Sequence, residues 1–186
     1  MNSSVARARA TQDDQGMTEN KTPATDSTPA LTGLSVDLDA LVEKLGVQSV
    51  LVMRSEPDSM VVAATAGEAS KYYTVGAAGT KAGPHTGEAA DRTPLYCERV
   101  VDADAPLFVR DSREDPTFAG NEDEVEFGLH NYLGLAVHGA DGSVVGTVCV
   151  LDDRARDYSD EDLQALEELR KNVEQVVRED GSALGN

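Results

Sequence analysis

Two cysteines and three histidines are the side chains of this sequence best suited to nucleophilic or metal chemistry. Cys149 lies inside an apolar run, where a thiol titrates above its ordinary pKa of about 8.5, so we predict an inert core residue. Cys97 lies near Arg99 in a stretch with helical spacing and is the more reactive candidate. It has no cysteine or histidine near it in sequence, and two cysteines do not form a disulfide scaffold in a chain of 186 residues. We therefore expect buried, reduced thiols and no catalytic residue.

The sequence contains no complete metal-binding or phosphate-binding motif. His85, His130 and His138 are far apart and show no metal-site spacing, and the acidic clusters lack the glycine-containing loop of an EF-hand. Gly76–Lys81 superficially resembles a phosphate-binding loop, but a P-loop has four residues between its glycines and a Ser or Thr after its Lys. The acidic clusters are expected to be solvated surface charge, and no metal site is predicted.

The most regular strand pattern is a hairpin of Asn131–His138 and Val144–Asp152, joined by an Asp141-Gly142 turn. Aspartate-glycine pairs favour the positive φ angles of tight hairpins. Gly134 and Gly146 interrupt the two strands, and a glycine there costs stability unless something approaches the backbone closely. The sequence leaves open whether that is a neighbouring chain segment or a ligand.

A long amphipathic helix is predicted after the hairpin, because Ser159 and Asp162 form a capping-box pattern at its start. Its apolar residues recur every three or four positions: Leu163, Leu166, Leu169, Val173 and Val176. This stripe can pack on the sheet of its own chain or form a seam with a second subunit.

The remaining pattern alternates short helices with short strands. The first half of this pattern predicts a helix from Ser35 or Asp37 to Gly46, strands over Val47–Met53 and Met60–Thr65, a third strand over Tyr72–Val75 and a loop over Gly76–Gly87. The second half predicts a helix over Leu95–Val101, a strand over Leu107–Val109, an irregular connection over Asp111–Asn121 and a helix over Glu122–Gly128. These elements indicate an α+β domain with a mainly antiparallel sheet.

Composition restricts the class of protein. Residues 1–31 are polar and poor in large apolar residues, so a disordered tail is predicted, and residues 179–186 are expected to be a flexible C-terminus. Neither a secretory signal nor a membrane span is visible, which predicts a cytoplasmic protein. The net charge of −18 disfavours nucleic acids and anionic membranes as partners. Acids spread along the chain with few lysines suggest a halophilic protein, since about 1 M salt screens charges beyond about 3 Å.

The chain resembles a GAF domain of the kind found in bacterial and archaeal sensory proteins. The resemblance covers roughly residues 34–177 and gives domain bounds of 32–178. It is carried by Leu95–Val101, Pro106–Asp111, Asp115–Phe118 with Asn121, Tyr132–Gly134 and Gly146–Asp152. It implies a GAF-like, PAS-related central antiparallel β-sheet, with helices on one side and a pocket-forming segment on the other. Ala136 stands where many relatives have a proline.

The resemblance also implies a ligand pocket. Transferred to this sequence, its candidate residues are Cys97, Phe108, Asp111, Phe118, Phe127, His130, Tyr132 and Leu135. The expected function is a stand-alone, non-catalytic module that senses an unidentified small molecule in signal transduction, forms a homodimer through its first and last helices and acts on a signalling partner protein. One alternative is an enzyme like free methionine-(R)-sulfoxide reductase that uses Cys97, although that family's paired cysteines are missing from the sequence pattern. A purely structural dimerisation module is the other, and no cofactor is identified.

Overall fold

The computed structural model describes residues 29–83 and 92–184. His85, part of the predicted Gly76–Gly87 loop and most of the predicted N-terminal tail lie outside these residues. The helices are α1 (Pro29–Thr32), α2 (Ser35–Leu45), α3 (Tyr96–Ala103), α4 (Glu122–Phe127) and α5 (Asp160–Glu179). The strands are β1 (Ser49–Ser55), β2 (Ser59–Ala66), β3 (Ala78–Thr80), β4 (Leu107–Val109), β5 (Asn131–His138) and β6 (Val144–Asp152), and two short 3-10 helices cover Glu68–Lys71 and Ser112–Glu114.

The strands form one six-stranded sheet in the order β3-β2-β1-β6-β5-β4. Every neighbouring pair is antiparallel, which confirms the predicted α+β class with a central antiparallel sheet. The long hairpin of β5 and β6 lies inside the sheet, and its Gly142 has a φ of 82° in the predicted turn. Both hairpin strands are interior strands, and nearly all of their residues are buried, so both of their faces are covered.

Side-chain alternation along the central strands divides the core into two layers. On β6, Val148 and Val150 pack with α1, α2 and α5, and we call this side the helix face. Cys149 and Leu151 point to the opposite side with residues of α3 and the segment around Tyr73, which we call the cavity face. Because successive strand residues point to opposite sides, one β-strand supplies both layers.

The two strand glycines make room for atoms of the protein itself. A Cβ on Gly134 would lie 2.0 Å from the Tyr132 hydroxyl oxygen, and one on Gly146 would lie 2.0 Å from the Met53 carbonyl oxygen. Real Cβ atoms do not approach other atoms so closely, so both positions exclude larger residues unless the neighbours move. Of the two alternatives left by the sequence, the structure shows close approach by chain segments.

The stripe of α5 packs against its own sheet. Leu166 and Val173 are fully buried in the helix-face core, and the predicted capping box is present, with Ser159 and Asp162 each accepting a hydrogen bond from the other's backbone N–H. After the helix, Ala183 and Leu184 are also buried in this core. This part of the segment that was expected to be flexible is therefore packed.

The predicted strand over Tyr72–Val75 is wrong. Tyr72 and Tyr73 directly follow the 3-10 helix Glu68–Lys71 and form a turn, in which their backbone N–H groups both donate to the Ala69 carbonyl. The third strand is β3, which lies inside the predicted loop and pairs with the start of β2. At the N-terminal side, Leu31 is buried in the helix-face core, so packing begins before the predicted domain boundary at residue 32.

Gly134→Ala is expected to lower the free energy of unfolding by about 1 to 3 kcal/mol, the usual cost of overpacking a core. The added methyl group would meet the Tyr132 hydroxyl and ring carbons. In a Tyr132→Leu background the ring is absent, so the same substitution is expected to cost less. Urea denaturation of the four proteins measures this coupling, and an equal cost in both backgrounds would contradict the close approach.

Candidate ligand-binding site

A cavity of about 90 Å³ lies between the cavity face of the sheet, α3 and α4. Among the described residues its wall is mostly aliphatic and aromatic, and its carboxylates are Glu122 and Asp123. The lining comprises Leu51, Met53, Met60, Val62, Tyr72, Tyr73, Ala77, Ala78, Gly79, Leu95, Cys97, Glu122, Asp123, Phe127, Tyr132 and Leu151. These described lining residues include no Lys, Arg or His.

Tyr132 lines this cavity and is backed by two further aromatic rings. The Tyr132 ring stacks on Tyr96 with centroids 4.8 Å apart, and Phe118 packs against Tyr96 at 5.1 Å. The Asn121 amide donates to the Tyr96 hydroxyl at 2.8 Å and fixes that ring. The Tyr132 hydroxyl then lies 3.3 Å from Cys97 Sγ, to which it donates a hydrogen bond.

Cys97 and Cys149 meet behind this wall. Their sulfur atoms are 3.6 Å apart, although the residues are separated by 52 positions in the sequence. Hydrogen bonding from Cys149, helped by the Tyr132 hydroxyl, lowers the pKa of the Cys97 thiol although burial acts in the opposite direction. Burial raises the pKa of Cys149 well above its ordinary value. No cysteine is near Cys97 in sequence, and the fold brings Cys149 beside it.

Tyr73 and Asp123 form the polar part of the cavity. The Tyr73 hydroxyl donates to Asp123 Oδ1 at 2.5 Å. Burial, with the nearby charges of Glu122 and Glu126, raises the pKa of Asp123 to about 6, while the bond from Tyr73 opposes the shift. Phe127 packs edge-on against Tyr73 at 5.2 Å and stacks on the partly exposed Tyr72 at 5.0 Å. The carboxyl group is thus held in an apolar setting at a cost to its charged form.

A buried carboxylate attaches the segment after β3 to the start of α3. Glu98 is 1% exposed and accepts hydrogen bonds from the backbone N–H groups of Ala82, Gly83 and Leu95 at 2.7 to 3.2 Å. Leu95 also packs closely against β3, where a Cβ added to Gly79 would lie 3.0 Å from Leu95 Cδ1. Glu98 does not line the cavity itself. It holds the chain after β3 against the start of α3, and residues of β3 and α3 line the cavity.

Three of the eight candidate residues lie together in the cavity wall: Cys97, Phe127 and Tyr132. Phe118 is buried behind them, against Tyr96. Leu135 lies on the helix face, because it is three positions from Tyr132 and residues an odd number apart point to opposite sides of a strand. Leu135 therefore does not line the cavity.

The other three candidates lie around β4 and the start of β5, outside the cavity. Phe108 is 45% exposed on the edge strand and packs edge-on against Tyr158 at 5.9 Å. His130 Nδ1 lies 3.4 Å from Asp111 Oδ1. Arg113 binds the Asp111 carboxylate and lowers its pKa to about 2, and Asp111 caps the Ser112–Glu114 turn. These contacts give Asp111 a structural role.

Sequence reasoning missed Tyr73, Glu98 and Asp123. A signal for Glu98 existed, since a glutamate three residues after a helix start is the second half of a capping box. Tyr73 and Asp123 are 50 positions apart, and only the fold brings their side chains together. Within residues 29–83 and 92–184, no cluster of His, Cys, Asp and Glu suits a metal ion. No helix in the same part of the chain is long and apolar enough to cross a bilayer.

The sequence model of the GAF domain matches residues 37–177, well over half of the chain. The chain belongs to the GAF domain family. The expected fold family is thereby confirmed, with the cavity on the face of the sheet opposite α2 and α5. No curated protein sequence matches this GAF domain.

Solved structures share the fold at low sequence identity. The GAF domain of a phosphoenolpyruvate-protein phosphotransferase from Acinetobacter is 16% identical with a TM-score of 0.61, over 87% of this chain and 89% of that one. A type II free methionine-R-sulfoxide reductase from Thermoplasma acidophilum is 15% identical with a TM-score of 0.58, over 81% and 93%. A domain of a putative two-component sensor histidine kinase from Sinorhizobium meliloti 1021 is 15% identical with a TM-score of 0.55, over 81% and 92%. The fold thus occurs in both regulatory and enzymatic proteins.

Glu98→Ala is expected to lower the free energy of unfolding by about 2 to 4 kcal/mol, because three backbone N–H groups lose a charged acceptor. Glu126→Ala removes an exposed carboxylate and is the matched control, with an expected change within about 0.5 kcal/mol. Urea denaturation at neutral pH compares the two. Similar losses in both variants would show that Glu98 does not hold these segments.

Proposed function

We propose that this GAF domain is a non-catalytic sensory module that binds a small apolar molecule carrying a positive charge or a strong hydrogen-bond donor. The observation that carries the proposal is Asp123, a buried carboxyl group with a raised pKa in a cavity whose described lining is mostly aliphatic and aromatic. Titratable groups held at such a cost are concentrated at functional sites. A cationic ligand would supply the countercharge that the described lining lacks.

The size of the cavity limits the ligand. Ligand pockets for drug-sized molecules usually measure about 300 to 1,000 Å³, and an engineered cavity of about 150 Å³ holds benzene. At about 90 Å³, this cavity accommodates a short branched chain. A larger ligand requires Tyr72, which is 45% exposed, to move away from Phe127.

A route from the cavity to the last helix supports a regulatory role. Asp104 follows α3, and its Oδ1 lies 2.8 Å from His138 Nε2 at the end of β5. His138 Nδ1 lies 3.2 Å from Glu174 Oε1 on α5. A shift of α3 would therefore reach α5 through one side chain. A ligand changes this arrangement only if it binds one of two arrangements more tightly.

Three ligands of one shape test the proposal: isobutylamine, isobutanol and isobutyrate. We expect isobutylamine to bind about tenfold or more tightly than the other two at pH 7.5, because a charge-assisted hydrogen bond contributes about 1.5 to 3 kcal/mol. Its affinity should rise with pH as Asp123 loses its proton near pH 6, while the amine stays protonated. NMR chemical-shift titration with each ligand at several pH values between about 5 and about 8 measures the preference for the amine and its pH dependence.

Asp123→Asn is the informative variant in this titration. It should remove the preference for the amine and the pH dependence, whereas Glu43→Gln, at an exposed position of α2 on the opposite face of the sheet, should keep both. If none of the three ligands perturbs the cavity residues, or if isobutyrate binds best, the proposed ligand chemistry is wrong.

The reductase alternative is supported by the fold of the Thermoplasma enzyme and by the Cys97–Cys149 pair. The described lining opposes it, because free methionine sulfoxide carries a carboxylate and no basic side chain is present. Turnover of the free (R)-sulfoxide with a dithiol reductant decides between the two, with Cys97→Ser as the control. Turnover that depends on Cys97 would replace the sensory proposal.

We also propose that two copies associate through α2 and α5, as the family resemblance suggests. Val36, which is 73% exposed on α2, supports this proposal, whereas the apolar stripe of α5 is buried within the chain. Val36→Lys is expected to shift the sedimentation coefficient from dimer to monomer. An unchanged dimer would place the interface elsewhere, and a dimer indifferent to all ligands would favour the structural-module alternative.

A further inference from the structure

The side chains of the two cysteines of this chain lie close together, although the residues belong to different secondary-structure elements. Cys97 is on α3, Cys149 is on the central strand β6, and their sulfur atoms are 3.6 Å apart. A disulfide bond measures about 2.05 Å, so the sulfur atoms need to approach by only about 1.5 Å. Both thiols are free in the structure. The fold therefore places them where a small movement of α3 would join them.

The two sulfur atoms differ in access and in surroundings. Cys97 lines the cavity and is 8% exposed, whereas Cys149 is fully buried and does not line it. Hydrogen bonds from Cys149 and Tyr132 favour the thiolate of Cys97, and burial keeps Cys149 protonated. Since the thiolate is the reactive form, Cys97 has the character of an attacking group and Cys149 that of a resolving group.

We propose that Cys97 and Cys149 form a reversible thiol–disulfide couple that is oxidised by a small neutral hydroperoxide entering the cavity. The reaction site includes the Tyr132 hydroxyl, which lies 3.3 Å from Cys97 Sγ. A small neutral oxidant fits the cavity, which holds about 90 Å³ and offers no positive side chain among its described residues. This reaction does not require the proposed amine ligand.

The chemistry balances with one hydroperoxide for each pair of thiols. The Cys97 sulfur attacks the terminal peroxide oxygen, an S–O bond forms and the O–O bond breaks, and the leaving alkoxide takes the proton lost by Cys97. The product is a sulfenic acid. The Cys149 sulfur then attacks Cys97 Sγ, an S–S bond forms, and the hydroxyl group leaves as water with the Cys149 proton. Two thiols lose two electrons, and the peroxide is reduced to an alcohol, or to water in the case of hydrogen peroxide.

Oxidation also changes contacts around the cavity. The Cys97 thiol accepts a hydrogen bond from the hydroxyl of Tyr132, whose ring lines the cavity, and oxidation replaces that thiol with a disulfide sulfur. Closing the distance between the two sulfur atoms also displaces α3, which is followed by Asp104 beside His138. The disulfide would thus alter the wall and the contact that leads to α5.

The test exposes the folded, reduced protein to hydrogen peroxide. We expect loss of both free thiols, a mass decrease of two hydrogens and a peptide cross-link between Cys97 and Cys149, all reversed by dithiothreitol. In Cys149→Val the reaction should stop at a sulfenic acid on Cys97 that dimedone traps. In Cys97→Ser, Cys149 should keep its thiol, because it is fully buried and protonated.

Several results would overturn this inference. Both thiols persisting in folded wild-type protein under excess peroxide is one, and a cross-link that forms only after denaturation or between two chains is another. The wild-type measurement needs no substitution, so it remains decisive if a variant fails to fold. Failure of isobutylamine binding would leave the cysteine result unaffected.

Discussion

The structure depends on the alternation of side chains along the two strands of the long hairpin, β5 and β6. On β6, Val148 and Val150 are buried among the helices, while Cys149 and Leu151 face the cavity. Because both faces are covered, a shift of one residue would exchange these two sets, so the register is strongly determined. The hydrophobic core on the helix face thereby fixes which atoms reach the cavity.

Close approach at Gly134 carries that constraint into the site. The absence of a side chain there leaves room for the Tyr132 hydroxyl, which in turn contacts Cys97 Sγ. Tyr96 and Phe118 continue the stack, and Asn121 fixes Tyr96 by a hydrogen bond. Gly134 therefore makes room for the hydroxyl group that contacts Cys97 Sγ. Its value to the fold is steric.

Local patterns in the sequence predicted most elements, because helix caps, turns and alternation act over a few residues. The hairpin of β5 and β6 and the start of α5 at Ser159 were predicted in this way. Tyr72–Val75 was wrongly predicted as a strand, since β-propensity there is overridden by a turn that bonds to Ala69 and buries Tyr73. Short, glycine-containing β3 gave no strand signal.

The site was less predictable because its contacts join distant parts of the chain. Cys97 with Cys149, and Tyr73 with Asp123, are separated by 52 and 50 positions. One error was avoidable: Leu135 and Tyr132 cannot share a face of a regular strand, so they could not both line the cavity. The family resemblance indicated the region of the pocket. The alternation of side chains along a strand determines which residues of that region face the pocket.

The two chemically distinctive groups of the cavity are electrostatically linked. The pKa of Cys97 is lowered chiefly by the hydrogen bond from Cys149, and the charge of Asp123 acts against this effect. A cation next to Asp123 would neutralise that charge and so favour the Cys97 thiolate. Deprotonation of Asp123 near pH 6 without a cation would have the opposite influence. Because one apolar cavity holds both groups, occupancy at the carboxylate and reactivity at the thiol are not independent properties of this domain.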